Sequence, residues 1–405
     1  MALPRVVVTG VGPVSGIGIG AADFSIAVRN GKSGAAPISS FDPTGFQRVY
    51  GCEVPDFDPH ALLRTIRPED YGRTGQFAAA AARLAVEDAD LDLGRMDPAR
   101  AGVVVGTTGG EGQLLVPLTE RWLHEGTDVA HTDRQAAAQM RGSRLSVAVS
   151  RELGLAGESV TVANACSASN LAIGYASDLI RAGEADVMIA GGADSTSRFT
   201  HAAFHRLGAL AEQACAPFDQ NRDGILTGEG GAAVVLERLE DAERRGARIY
   251  AEVLGYGANC DASHMVAPEA RSIARCMRMA HAAAGITPED VDYICAHGTG
   301  TQANDATEAE AIRLVFGGQA PPVSSVKSMI GHTMGAASAF GAVVCALGID
   351  GDFIPPTINT TTVDPSMPWI DPVAGESRQI RLNVVQNDGF AFGGNNAIVI
   401  FGRVE

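Results

Sequence analysis

Three side chains stand where sulfur and imidazole chemistry is possible: Cys166, His297 and His332. Cys166 follows a strand-like run that ends at Ala163 and precedes a helix-like run that continues to Arg181. A cysteine at the start of a helix lies beside unpaired N–H groups, which favour a thiolate and can also hold an oxyanion. The alternative is a buried structural cysteine, since free cysteines are mostly core residues.

Each of the two histidines follows a strand-like segment, in His297-Gly298-Thr299-Gly300-Thr301 and in Lys327-Ser328-Met329-Ile330-Gly331-His332. A histidine at the carboxyl end of a strand, among glycines and hydroxyls, is well placed for a site. Taken alone, such a histidine is more often a hydrogen-bonded structural residue. No carboxylate or second histidine lies at ligand spacing around either one, so the sequence predicts no metal site.

Two further motifs imitate binding sites. Gly10–Gly16 follows a strand as a dinucleotide fingerprint does, but its third glycine is displaced and Pro13 occupies the turn. Asp219–Gly224 is similar to a calcium loop, but Gly230 stands where the loop requires glutamate. We therefore expect neither a nucleotide nor a calcium ion at these motifs.

The elements that must position these residues alternate between β-branched runs and Ala-rich windows, which is typical of mixed or parallel sheets covered by helices. The predicted strands are Val6–Thr9, Val103–Val105, Val160–Ala163, Val187–Ala190, Ala232–Leu236, Ile249–Tyr256, Val291–Ala296, Pro322–Ser325 and Ala397–Phe401. The predicted helices are Phe77–Asp88, Arg134–Arg151, Ser167–Arg181, Leu239–Arg245, Ala270–Ala284, Asp305–Phe316 and Gly335–Ile349, and Phe353–Arg378 is predicted to be a long loop. The pattern restarts after about Ala247, so we expect two related halves: residues 1–247 with the cysteine and 248–405 with both histidines.

Composition excludes several classes of protein. The 405 residues carry 47 acidic and 31 basic side chains, a net charge of −16 that disfavours nucleic acid as a partner. Seven cysteines without a C-x-x-C pair indicate reduced thiols, and no signal-peptide pattern precedes the first strand, so we expect a cytoplasmic protein. The apolar stretch Gly335–Ile349 is too short to predict membrane insertion.

Taken together, these blocks resemble the β-ketoacyl-acyl carrier protein synthases, the condensing enzymes of the thiolase superfamily. The resemblance covers nearly the whole chain. Its blocks are Val8-Thr9-Gly10, Ala165-Cys166-Ser167, Pro217–Gly230, His297–Thr301, Lys327–His332 and Phe392–Asn396. The resemblance implies a thiolase-like α/β fold, in which two related halves form a layered α-β-α-β-α architecture.

The family's triad distinguishes its members. Elongating synthases carry Cys-His-His, initiating synthases carry Cys-His-Asn, and thiolases have a second cysteine. With His332 as third member, the chain resembles an elongating enzyme, which joins an acyl chain on the cysteine to malonyl-acyl carrier protein with loss of carbon dioxide and extends it by two carbons. The resemblance implies no metal and no resident cofactor, because the phosphopantetheine arm belongs to the carrier protein.

The resemblance also assigns roles to residues of this chain. It implies that Cys166 is the nucleophile, that His297 and His332 hold the malonyl carbonyl, and that Lys327 organises the histidines. The N–H groups of Cys166 and Phe390 are expected to form the oxyanion hole, and Thr299 and Thr301 are expected to bind the phosphopantetheine arm. The acyl pocket is expected to be shaped or gated by Thr108, Gly109, Phe390 and Phe392.

Some positions depart from the family pattern. Gly341 replaces a glutamate that pairs with the motif lysine, so Lys327 is expected to pair with Glu308 or Asp305 instead. Ala391 replaces a gating glycine, which predicts a stiffer loop, and Gly109 replaces a bulky isoleucine across the acyl pocket. Glu69 and Asp70 stand where relatives often have basic residues for carrier docking, although Arg64, Arg67 and Arg73 remain nearby.

These departures favour a type II polyketide or specialised fatty-acyl pathway over housekeeping fatty-acid elongation, which stays the alternative. A non-catalytic chain-length-factor subunit is a further alternative, and the intact Cys166 argues against it. A thiolase or simple acyltransferase is disfavoured by His332. The expected partners are an acyl carrier protein and either a second copy or a homologous subunit, with Val160–Ala163 near the dimer interface.

Overall fold

The computed structural model describes residues 3–126 and 134–404. The strands are β1 (Val6–Ser15), β2 (Gly18–Ile19), β3 (Ala36–Pro37), β4 (Tyr50–Cys52), β5 (Ala101–Thr107), β6 (Ser159–Ala163), β7 (Val187–Asp194), β8 (Thr227–Gly228), β9 (Gly230–Arg238), β10 (Ala251–Cys260), β11 (Tyr293–Cys295), β12 (Val323–Ser324), β13 (Phe353–Ile354), β14 (Arg378–Gln379), β15 (Val384–Phe390) and β16 (Asn395–Gly402). The helices are α1 (Ala21–Arg29), α2 (Pro59–Leu62), α3 (Arg73–Asp88), α4 (Leu115–Glu125), α5 (Arg134–Gln139), α6 (Arg144–Leu153), α7 (Ala168–Arg181), α8 (Arg198–Arg206), α9 (Leu239–Arg244), α10 (Ala270–Ala284), α11 (Gln302–Phe316), α12 (Lys327–Ile330) and α13 (Ala337–Gly351).

The main sheet repeats one strand order twice. Its first half runs β6-β5-β7-β9-β1 and its second half runs β12-β11-β15-β16-β10. In each half the first three strands are parallel and the last two pair antiparallel to their neighbours. A short antiparallel pairing of β1 with β10 joins the halves. This repeat confirms the expected two related halves, and the predicted division at residues 247/248 falls between α9 and β10.

Helices cover both faces of each half, so the chain forms the expected five layers. α7 and α13 pack together between the two halves of the sheet, with β5, β7 and β9 on one side and β15 and β16 on the other. α3 and α6 cover the outer face of the first half, and α10 and α11 cover the outer face of the second. A helix that is apolar on every side belongs in such a centre, and α13 is built this way.

The same helix accounts for the apolar stretch of the sequence. Within the described ranges, Met334–Gly351 alone is long and apolar enough to cross a membrane, but 89% of it is buried inside the molecule. It is therefore a core element of the central layer, and its α-helix, α13, begins and ends two residues later than the predicted Gly335–Ile349.

The glycine cluster that is similar to a nucleotide-binding motif allows β1 and α3 to pack closely. β1 continues through it to Ser15, and α3 lies so close that a Cβ on Gly10 would stand 2.2 Å from the Ala85 carbonyl oxygen. A Cβ on Gly12 would stand 2.0 Å from the Ala81 carbonyl oxygen. Only glycine permits this approach of strand and helix.

The segment that imitates a calcium loop is filled by the protein's own donors. The Asp219 carboxylate accepts hydrogen bonds from the N–H groups of Asn221, Thr361 and Thr362 and from the Thr361 hydroxyl. Through these hydrogen bonds, Asp219 links its own segment to the long loop after β13. That loop is closed at its ends, since β13 pairs with β14.

One predicted helix is wrong in its extent. Arg134–Arg151 is two helices, α5 and α6, which are separated around Gly142. Glycine has poor helix propensity, and the periodicity of the flanking residues does not show such a break. α6 then ends at Gly154, which has a left-handed φ of 73°.

Candidate active site

Cys166 lies on a sharp turn between β6 and α7. Ala165 has a φ of 49°, a left-handed conformation, and Ala165–Ser167 form a 3₁₀ turn that leads into the helix. The Ser338 hydroxyl on α13 donates to the Cys166 carbonyl at 3.2 Å. Cys166 is thus anchored in the central layer, with 7% of its surface exposed.

His297 is presented by a loop whose backbone is held by α11. The Glu308 carboxylate accepts from the N–H groups of His297 and Gly298, both at 2.7 Å. Asp305, one turn earlier on the helix, accepts from the Thr299 N–H at 3.0 Å. Gly298 and Gly300 have positive φ angles, which this tight turn requires.

His332 follows Gly331, whose φ is 66°, at the end of α12. Its Nδ1 accepts a hydrogen bond from the Met334 N–H at 3.0 Å. A neutral imidazole that accepts at Nδ1 carries its proton on Nε2. His332 therefore presents an N–H donor to the site.

The three side chains converge. The Cys166 sulfur and one ring nitrogen from each histidine all lie within 4.8 Å of one another. The two imidazoles meet edge to face, with ring centroids 5.5 Å apart. They line a cavity of about 200 Å³ together with residues of α8, the 266–268 loop and the 390–394 loop.

Burial dominates the titration of the site. It raises the pKa of the Cys166 thiol to about 11, against the opposing effect of the Lys327 ammonium. Desolvation therefore opposes the thiolate that the helix start favours. Burial, followed by Lys327, also holds the pKa of both His297 and His332 well below the ordinary value, so both rings are neutral.

The second oxyanion donor needs correction. Among backbone groups, the N–H of Phe392 and that of Cys166 itself lower the pKa of the Cys166 thiol, which places both beside the sulfur. Phe390 lies within β15, in register with Asn396, and its ring contacts His297 at a centroid distance of 5.7 Å. The structure thus favours Phe392 over Phe390 as the partner of the Cys166 N–H.

Lys327 is buried, and its ammonium donates to the His297 carbonyl at 2.6 Å. The expected ion pair with Glu308 or Asp305 is wrong: neither carboxylate lies within 4.0 Å of the ammonium, and both instead hold the backbone of the 297–300 loop. Burial lowers the pKa of Lys327, and nearby Glu308 opposes that effect. The lysine therefore supports the loop that carries His297.

The space beside Gly341 is taken by Asn387. A Cβ on Gly341 would stand 2.1 Å from the Asn387 side-chain oxygen. The Asn387 amide nitrogen donates to the Asn170 side-chain oxygen and to the Ser338 carbonyl, each at 2.8 Å. A larger residue at position 341 is incompatible with this arrangement.

The remaining predicted site residues divide into two groups. Thr299 and Thr301 line the cavity, with their hydroxyls 2.9 Å apart, and Phe390 and Phe392 line it as well. Phe392 stacks on Phe204 of α8 at 5.6 Å between centroids. Thr108 and Gly109 are described by the structure but lie exposed on the loop after β5, outside the cavity lining. Their place in an acyl pocket, and the binding of a phosphopantetheine arm, stay predictions.

The arginines near Glu69 and Asp70 are already engaged. Arg73 forms an ion pair with the buried Glu229 at 2.6 Å. Arg64 pairs with Glu87 at 2.7 Å, and Arg67 lies 3.6 Å from Asp70. Arg73 is thus committed to the interior, and this surface is not a simple basic patch.

The convergence of one thiol and two imidazoles is also a set that a metal could use. The expectation of no metal site came from sequence spacing, which does not show this convergence. The donor set fits a metal poorly, because the Met334 N–H occupies Nδ1 of His332 and leaves Nε2 protonated. It fits the holding of an oxyanion instead.

Two groups of residues escaped the sequence analysis. Asp194 ends β7 and is buried near Cys166, and burial raises its pKa to about 6. The sequence does place Asp194, an acidic residue, shortly after the predicted strand Val187–Ala190, and this position could have indicated a site residue. Phe204 and the 266–268 loop line the cavity, and no periodicity or motif marks them.

Comparisons with known proteins identify the family of the chain. Family models described as the N-terminal and C-terminal domains of β-ketoacyl synthase match residues 4–242 and 250–361. A 3-oxoacyl-[acyl-carrier-protein] synthase 2 of Coxiella burnetii is 38% identical over 99% of both chains. The solved ishigamide ketosynthase/chain length factor is 47% identical with a TM-score of 0.97, covering 100% of each chain. A type II PKS acyl-carrier protein in complex with its ketosynthase matches at 31% identity and a TM-score of 0.90, again over 100% of both chains.

Proposed function

Since the chain belongs to the β-ketoacyl synthase family, we propose that Cys166, His297 and His332 carry out its decarboxylative condensation. The reaction joins an acyl group to malonyl-acyl carrier protein in a polyketide or fatty-acid pathway. The observation that carries the residue assignment is the convergence of one sulfur and two imidazole nitrogens within 4.8 Å in a cavity.

The first half-reaction loads the enzyme. The Cys166 sulfur attacks the carbonyl of an acyl-carrier thioester, and the N–H groups of Cys166 and Phe392 hold the oxyanion that forms. The bond between this carbonyl and the carrier's sulfur then breaks. The thiol proton of Cys166 ends on the departing phosphopantetheine thiol, so the exchange is balanced. We propose that Thr299 and Thr301 hydrogen-bond the arm, because their hydroxyls line the cavity.

The second half-reaction forms the new bond. The N–H groups of His332 and His297 hold the malonyl thioester oxygen, where the electrons of the breaking carboxylate bond collect as carbon dioxide leaves. The enolate carbon attacks the acyl-Cys166 carbonyl, the bond between that carbonyl and the sulfur breaks, and the Cys166 thiolate takes a proton from solvent. The product is a β-ketoacyl chain that is longer by two carbons. No resident cofactor takes part in these steps.

A specialised pathway, of type II polyketide or modified fatty-acyl type, fits the chain better than housekeeping elongation. Gly109 stands where the family pattern has a bulky isoleucine, and at this exposed position after β5 a Cβ would meet only the Asp194 carboxylate oxygen, at 3.9 Å. The engagement of Arg73 with Glu229 leaves this docking region less basic. We propose that the enzyme acts in the cytoplasm.

We propose that β6 lies at a subunit interface. Among the described strands it pairs only with β5, so its other edge is free, and its side chains are exposed or half-buried. The partner is a second copy or a homologous chain-length-factor subunit. Native mass spectrometry decides: an active homodimer excludes an obligate second subunit, and an inactive monomer excludes the homodimer.

The function is tested with intact-protein mass spectrometry on a panel of acyl carriers and malonyl carrier. Wild type should gain an acyl mass and release a product longer by two carbons. Cys166→Ala should lose both while keeping the fold. An acyl adduct on Cys166→Ala contradicts the nucleophile assignment, and preference for ordinary saturated chains favours the housekeeping alternative.

A further inference from the structure

The turn between His332 and α13 holds a residue in a conformation that side chains rarely adopt. Met334 has a φ of 53°, in the left-handed region. Its N–H donates to Nδ1 of His332 at 3.0 Å, so this conformation determines which nitrogen of His332 carries the proton. A strained conformation persists only where its surroundings enforce it.

The contacts of the next residue, Gly335, show what enforces the conformation of Met334. The N–H of Gly335 donates to Oδ2 of Asp194 at 2.6 Å, and its carbonyl accepts from the hydroxyl of Ser169 on α7. Gly335 also packs against the end of β5, where a Cβ would stand 2.4 Å from Cα of Thr107. The two peptides that flank Gly335 are therefore both held, the first by Asp194 through its N–H and the second by Ser169 through its carbonyl.

Asp194 gathers four donors on one buried carboxylate. Besides Gly335, it accepts from the hydroxyl of Thr107 at 2.8 Å, from the N–H of Thr108 at 2.8 Å and from the N–H of Gly109 at 3.0 Å. All four partners donate, which suits a carboxylate, an acceptor without a donor of its own. One side chain thus ties the 107–109 loop to the His332 turn.

We propose that Asp194 is a positioning residue for the condensation: through the N–H of Gly335 it holds Met334 in the conformation that keeps His332 as an Nε2–H donor. The proposal deepens the proposed function and rests on it. Asp194 touches neither the substrate nor the sulfur in this role. It acts on malonyl decarboxylation through the turn.

The same carboxylate has a second, separable effect. After burial, its negative charge also raises the pKa of the Cys166 thiol. Loss of the charge should therefore make Cys166 more reactive, while loss of the hydrogen bond to Gly335 should make His332 a poorer donor. A merely structural residue would not move these two readouts in opposite directions.

Three variants separate the effects. Asp194→Ala removes the charge and every hydrogen bond. Asp194→Asn removes the charge but can keep its oxygen on Gly335 and Thr108, with its amide turned toward the Thr107 hydroxyl and with the hydrogen bond from the Gly109 N–H lost. Ser169→Ala is the matched control, because it frees the other side of Gly335 without changing any charge.

The assays are carbon dioxide release from malonyl carrier without a primer, alkylation of Cys166 by iodoacetamide, and acyl loading by mass spectrometry. We expect decarboxylation to fall at least tenfold in Asp194→Ala and less in Asp194→Asn. Alkylation should accelerate at least twofold in both. Ser169→Ala should slow decarboxylation at least threefold and leave alkylation unchanged.

Parallel loss of loading and decarboxylation in the Asp194 variants overturns the proposal, and so does unchanged decarboxylation in Asp194→Ala. Circular dichroism checks the fold. If Asp194→Ala does not fold, the rates of decarboxylation and of Cys166 alkylation in Asp194→Asn are compared with those in Ser169→Ala, and the same expectations apply. Failure of wild type itself to load an acyl chain or to release carbon dioxide refutes the proposed function instead. The two failures are therefore distinguishable.

Discussion

The reactivity of Cys166 should depend on pH in a way that separates burial from the helix start. With a thiol pKa of about 11, about one molecule in 10⁴ carries the thiolate at pH 7. Each added pH unit deprotonates about ten times more sites, so the alkylation rate should rise about tenfold per unit from pH 7 to pH 9, without a plateau. A thiolate stabilised at the helix start would instead level off near neutral pH.

The histidines do not confuse this measurement. Burial and the Lys327 ammonium hold both of their pKa values well below the ordinary value, so lowering the pH to 6 should leave them neutral. The slope between pH 7 and pH 9 then belongs to Cys166. Removal of the cation in Lys327→Met should lower the alkylation rate of Cys166 at every pH in this range, because Lys327 lowers the pKa of the thiol.

The assay is peptide mass spectrometry of Cys166 after timed pulses of iodoacetamide, with glutathione in the same tubes as the reagent standard. Cys166→Ala gives the blank for that peptide. A rate that reaches its plateau below pH 8 would falsify the burial argument and restore the thiolate predicted from the sequence. A faster reaction in Lys327→Met would show that the lysine does not act on the sulfur as a charge.

The other predictions concern three positions. His332→Ala should slow malonyl decarboxylation by about 10²-fold, measured as carbon dioxide release, while acyl loading persists; unchanged release contradicts the donor role. Gly341→Ala should destabilise the fold by about 2–4 kcal/mol, because overpacking against Asn387 exceeds the gain in helix propensity. Thermal unfolding at fixed protein concentration measures this change, and a variant more stable than wild type would refute the clash. Gly109→Ile should shorten the longest acyl chain accepted, and since Gly109 has no left-handed φ, equal loss at all chain lengths would count against the pocket assignment.

The sequence carried the local features of this site well. The strand before Cys166, the small residues of its turn and the helix after it are all consecutive, so pattern and turn chemistry indicate them. The restart of the pattern after about Ala247 likewise indicated two halves. The strand, turn and helix around Cys166 depend on residues that are close together in the chain.

Features that failed depend on residues far apart in the chain. Whether Phe390 or Phe392 faces the sulfur is set by the way the 390–394 loop packs in the cavity beside Cys166, more than 200 residues earlier in the chain. The burial of Cys166, which raises the pKa of its thiol, is likewise not revealed by a helix start. Similarly, Glu308 holds the backbone of His297 rather than the ammonium of Lys327, a choice of partners made only by the packed α11.

One buried cation links the two half-reactions. After burial, Lys327 is the next cause that lowers the pKa of both imidazoles, which favours the neutral rings that the proposed malonyl site requires. The same charge is the first effect that opposes burial at Cys166, where it favours the thiolate needed for loading. A neutral residue at position 327 would therefore slow loading by raising the pKa of the thiol and would also allow the imidazoles to protonate at a higher pH. Because the ammonium also bonds the His297 carbonyl, the lysine fixes the geometry of one histidine while its charge acts on all three side chains.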